Sequence, residues 1–103
     1  MSIADEILAF ATGPTHGCTA GRSMARLYLA LQGWPVPICD TTTGLDDTRL
    51  RWWGQAMTEY GRGQWRGSHD DAESVARRHP EIYAQAQAAR AAIDAAERRR
   101  ASA

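Results

Sequence analysis

The sequence predicts an all-α fold: a compact bundle of about five helices with one extended, proline-containing loop at residues 33–44. Three observations carry that expectation. A chain of 103 residues is the length of one domain with one modest core. It holds 19 Ala but only 5 Ile and 2 Val, which suits helices and is poor material for a sheet. Its apolar residues also recur at helical spacing between recognisable caps and breakers.

The first helix is expected over residues 3–11. Ser2 can cap it, Asp5 stands at the capping-box position, and Ile3, Ile7, Leu8 and Phe10 supply apolar surface. Thr12-Gly13-Pro14 ends it. Thr19 reads as the cap of a second helix over residues 20–32, where Met24, Leu27, Tyr28 and Leu31 fall at i, i+3, i+4 and i+7. Gly33 stops that helix. Residues 33–44 read as the one stretch that cannot be helical. Pro35 and Pro37 hold it extended, and Trp34, Val36 and Ile38 lay it on the core as a strap.

Asp46 caps the third helix, with Leu45 and Leu50 at the two positions of a hydrophobic staple. Its core face is expected at Leu50, Trp53, Met57 and Tyr60, and Gly61-Arg62-Gly63 breaks it. Ser68 caps a short fourth helix, with Asp70 and Asp71 in the first turn where the helix dipole favours acid. Pro80 opens the fifth helix, which meets no breaker through Arg100. Its seam of Ile82, Ala86, Ala89, Ile93 and Ala96 is mostly small, and can bury itself within the chain or pair residues 80–100 with a second copy as a homodimer. Arg98-Arg99-Arg100 complements the negative end of the helix dipole, and residues 101–103 read as frayed.

Charge and cysteine content narrow the function classes. Twelve Arg balance 12 Asp+Glu with no Lys, so no net charge draws the chain to nucleic acid or an anionic membrane. No apolar run approaches the roughly 20 residues of a membrane span, and the acidic start is unlike a secretory leader. Two cysteines are few for a secreted miniprotein, which points to a reducing compartment, the cytoplasm of a bacterial host cell. His16, Cys18, Cys39, His69 and His79 hold the right atoms for zinc, but only His16 and Cys18 have ligand spacing and the matching second pair is missing. The cysteines read instead as small, partly buried hydrophobes, and the histidines as loop and cap residues. No nucleophile motif or glycine-rich phosphate loop is present, and the carboxylate pairs Asp5-Glu6, Asp46-Asp47 and Asp70-Asp71 all stand at helix starts, where capping explains them. No enzyme and no cofactor is expected.

Residues 49–66 stand apart. They hold four Arg, three of the four Trp and one Tyr, with Glu59 their only acid, for a local charge of +3. Trp, Tyr and Arg are the residues that most often anchor protein–protein interfaces. Arg49, Arg51, Trp52, Tyr60, Arg62, Trp65 and Arg66 are the expected partner-binding residues, with Trp65, between glycines, expected to stand largely exposed. The alternative is that Trp52 and Trp65 cap the edge of a small core with arginine stems packed over them.

Residues 3–60 resemble in layout a small uncharacterised domain family of proteobacterial phages and plasmids. The likeness lies in the Ile-Leu-Ala-Phe-Ala-Thr-Gly helix end, the Ala-Arg-Leu-Tyr-Leu-Ala-Leu helix, the extended loop with an Asp, and the Leu-Asp-Asp helix start. That family implies no functional residue. In size and style the chain is similar to phage-encoded inhibitors such as anti-CRISPR proteins, although its zero net charge departs from the acidic DNA mimics among them. The function expected is therefore a non-enzymatic phage or mobile-element inhibitor that sterically blocks a host protein or nucleoprotein complex. Direct nucleic-acid binding is less favoured. In that alternative, the chain is a helix-turn-helix-like DNA-binding regulator using the second helix, with Arg22 and Arg26, and the Arg-rich end.

Overall fold

Side-chain caps explain why most helix starts are readable in the sequence. Ser2 Oγ accepts the Asp5 N–H at 3.2 Å and opens α1, Ile3–Thr12. Asp46 Oδ1 accepts the Arg49 N–H at 2.8 Å and opens α3, Asp47–Gly61. Ser68 Oγ accepts the Asp71 N–H at 3.1 Å and opens α4, His69–Arg78. The exception is α2, Thr19–Leu31. Its cap is Cys18, whose Sγ accepts the Gly21 N–H at 3.3 Å, and Thr19 is already helical. Pro80 takes the first position of α5, Pro80–Ser102, where its missing N–H costs nothing. The computed structural model describes residues 2–102 and is 74% helical, with no strand among them.

The second helix forms the centre. Met24, Ala25, Leu27, Tyr28, Leu29 and Leu31 are all buried, so α2 is covered on more sides than the one stripe its spacing suggests. Ile3, Ala4, Ile7 and Ala11 of α1 pack on it, as do Ala72, Val75 and Ala76 of α4. Full burial of a side chain such as Ile7 or Leu27 is worth about 1.5–3 kcal/mol. Ile82 and Ala86 close the core from α5. Beyond them the helix leaves the body: Ala89 and Ala96 are half-buried and Ile93 is 41% exposed, so the seam ends after two residues. This projection gives the molecule its 48 × 30 × 24 Å shape. Ala101 and Ser102 continue the helix instead of fraying, and position 103 lies outside the described residues.

Three local expectations are corrected. The strap is not wholly extended: Ile38–Thr41 forms a single 3-10 turn just after Pro37, which stays extended and so permits it. The strap is tied by hydroxyls as well as by apolar contact. Thr41 is buried, donates to the Ile38 carbonyl at 2.6 Å and accepts the Trp53 indole N–H at 2.8 Å, while Ser23 donates to the Thr43 carbonyl. Ile38 is 46% exposed. On α3, Leu50 and Tyr60 are 45% and 53% exposed, the staple does not close, and Ala56 is the one fully buried residue. The helix is rolled toward its Arg49–Trp52 side because Phe10 of α1 receives that side. Finally, Cys18 and Cys39 are exposed, and His79, which does cap the end of α4, is buried.

Candidate functional site

The 49–66 stretch divides into residues that hold the fold and residues that face outward. Arg49 belongs to the first group. Its guanidinium lies 4.4 Å from the Phe10 ring centroid and 4.6 Å from that of Trp52, and 3.7 Å from an Asp46 carboxylate oxygen. Phe10 and Trp52 meet edge to face at 6.0 Å. Both Trp52 and Arg49 are therefore half-buried, held between α1 and α3 by stacking that is worth about 0.5–1 kcal/mol even where partly exposed.

Trp65 is held too. It is half-buried, its indole N–H donates to Gln32 Oε1 at 2.6 Å, and its ring meets Tyr28 at 5.4 Å in a tilted edge contact. A Cβ on Gly67 would collide with the Trp65 indole and Gln32 Oε1, so only glycine lets the chain pass over this bond. The expectation of a freely exposed Trp65 is corrected: residues 61–67 form a lid over the end of α2. Tyr28, under the lid, accepts the Ser68 N–H at 3.1 Å, and burial pushes its phenol above the usual range.

Arg51, Tyr60, Arg62 and Arg66 remain exposed. Among the described residues the one ion pair is Arg49–Asp46, so Arg51, Arg62 and Arg66 carry uncompensated charge. Arg51 lies on α3 three turns before Arg62. Tyr60 and Arg62 stand at the end of α3 and Arg66 on the lid.

A second polar cluster escapes any reading by spacing. His79 is 5% exposed with Nε2 2.7 Å from the Ala11 carbonyl, and His16, on the loop before α2, meets it edge to face at 5.5 Å. A Cβ on Gly21 would stand 2.5 Å from the His16 carbonyl oxygen, so that glycine lets the loop close on α2. Burial holds the His79 imidazole below its ordinary 6.5; the Ala11 carbonyl opposes this, and His16, Arg26 and Arg22 reinforce it. A buried neutral histidine stabilises the fold above the unfolded-state value and loses that contribution as pH falls through the lower folded-state value. Thermal midpoints measured from pH 8 to pH 5 are therefore expected to be level down to about 6.5 and to fall below it. His79→Gln, which keeps a donor for Ala11, flattens that fall.

Among the described residues no three His, Cys, Asp or Glu side chains gather as a metal site requires, and no helix is long and apolar enough to cross a membrane. Comparison with protein-family models, curated proteins and solved structures finds no match.

Proposed function

We propose that the protein is a non-enzymatic interaction module that blocks a surface on a larger partner, a host protein or nucleoprotein complex, in the manner of a phage or mobile-element inhibitor such as an anti-CRISPR. The observation that carries this reading is that Tyr60, Arg62 and Arg66 are exposed and uncompensated in charge at the end of α3 and on the lid, which Trp65 ties to α2. A pre-fixed surface loses little conformational entropy on docking, which is how such surfaces gain affinity. Tyrosine and arginine contribute the contacts, and acidic groups of the partner answer the charge.

Burial of α2 disfavours the helix-turn-helix alternative. A recognition helix offers several polar side chains to base edges, whereas α2 has only Thr19 and Arg22 exposed. A homodimer through α5 is disfavoured by area. Ala89, Ile93 and Ala96 offer little against the roughly 800 Å² per partner of a standard interface.

The test is capture from a host lysate with the protein and with a Tyr60→Ala/Arg62→Glu/Arg66→Glu variant, read by mass spectrometry. The partner is expected with the unmodified protein and lost with the variant, whose circular dichroism stays unchanged. Equal capture by both would place binding elsewhere.

A further inference from the structure

The junction between α4 and α5 brings nitrogen-bearing side chains from four segments to one recess: His16 from the loop before α2, Arg22 from α2, Arg78 from α4, and His79 from the joint itself. Because a carbonyl oxygen only accepts, the 2.7 Å contact to Ala11 places the His79 proton on Nε2 and leaves Nδ1 an acceptor. His16 Nδ1 likewise donates to the Gly13 carbonyl, at 2.9 Å. His79 Nδ1 has no hydrogen-bond partner among the described residues and, unlike Arg49 Nε and Glu59 Oε2, is not sealed from solvent. The start of α5 borders the same recess, and the Glu81 and Ile82 N–H groups there have no partner within the helix, whereas the Tyr83 N–H is taken by the His79 carbonyl.

The charges around the recess select an anion. Arg22 and Arg78 have no ion-pair partner among the described residues, Arg26 stands near enough to act on His79, and Glu81 is the one acid on the rim. Two guanidinium groups and a helix N-terminus repel a metal ion and attract an oxyanion. The free Nδ1 of the neutral His79 imidazole adds a second condition: it accepts, so the anion must carry a proton to give it. Hydrogen phosphate meets both conditions, with P–O⁻ for the arginines and P–OH for an imidazole. We propose that this recess binds inorganic hydrogen phosphate.

The experiment follows the histidine Cε1–H resonances at pH 7.5 and constant ionic strength, titrating inorganic phosphate, glycerol phosphate, sulfate, and an oligothymidylate without terminal phosphate. Saturable shifts of the His16 and His79 signals are expected with inorganic phosphate. Glycerol phosphate, a monoester whose second pKa of about 6 leaves it mostly without a P–OH proton at this pH, binds more weakly, and a matching response to it would overturn the proposal. Sulfate and the oligothymidylate, which have no P–OH or S–OH proton at this pH, bind at least about tenfold more weakly. Arg22→Gln and Arg78→Gln, both at exposed positions, each weaken phosphate binding by about tenfold with unchanged circular dichroism. Shifts that do not saturate, equal binding of sulfate, or undiminished binding by both arginine variants would overturn the proposal.

Discussion

Trp65→Ala is expected to lower the unfolding free energy by about 2–4 kcal/mol in denaturant titration. Complete removal of a core tryptophan costs roughly 3–5 kcal/mol, and Trp65 is half-buried, so the figure stands somewhat lower. The loss has two sources. The indole leaves the Tyr28 ring, and its hydrogen bond to Gln32 disappears, freeing the lid at residues 61–67 from α2. A surface tryptophan would move stability by no more than about 0.5 kcal/mol. A result in that lower range would return Trp65 to the exposed role that its glycine-flanked position suggests.

Tyr28→Ala is expected to cost more, about 3–5 kcal/mol, out of the 5–15 kcal/mol typical of a domain. Tyr28 is among the largest fully buried side chains, at 1% exposure, and truncation opens a cavity in the core that α2 shares with α1 and α4. Tyr28→Phe isolates the hydroxyl: it keeps the ring and removes the acceptor for the Ser68 N–H at the start of α4, for about 1 kcal/mol. Because Tyr28 and Trp65 touch, the double variant should cost less than the sum of the two. Thermal unfolding of the four proteins measures the whole cycle.

Helix boundaries were legible where local chemistry sets them. Ser2, Asp46 and Ser68 satisfy N–H groups three residues on, a bond that depends on spacing alone. Cys18 performs the same task, but the sequence alone points to Thr19, because sulfur is a weak acceptor and an uncommon cap. Helix faces were legible only where one neighbour decides them. The i, i+3, i+4 pattern of α2 names true core residues, whereas on α3 the identity of the facing residue, Phe10, turned Leu50 and Tyr60 outward. Nothing within α3 encodes that contact.

The candidate surface was legible as composition, not as arrangement. Counting Arg, Trp and Tyr finds the stretch; only the packing shows that Trp52, Trp65 and Arg49 support it while Tyr60, Arg62 and Arg66 face outward. The His16–His79 recess was illegible because its members lie 63 positions apart in the numbering and meet through the close passage of a loop over Gly21. One signal was available: a histidine between two helices just before a proline must place its ring somewhere, and the helix end leaves free carbonyls such as that of Ala11 to receive it.

If support and contact divide in this way, Tyr60 separates stability from binding. Titration of the captured partner with Tyr60→Ala protein, alongside its unfolding curve, measures both at once. The expected result is stability within about 0.5 kcal/mol of the unmodified protein and affinity lower by roughly 2 kcal/mol, close to thirtyfold. Undiminished affinity with the fold intact would contradict the assignment of the end of α3 and the lid as the binding surface.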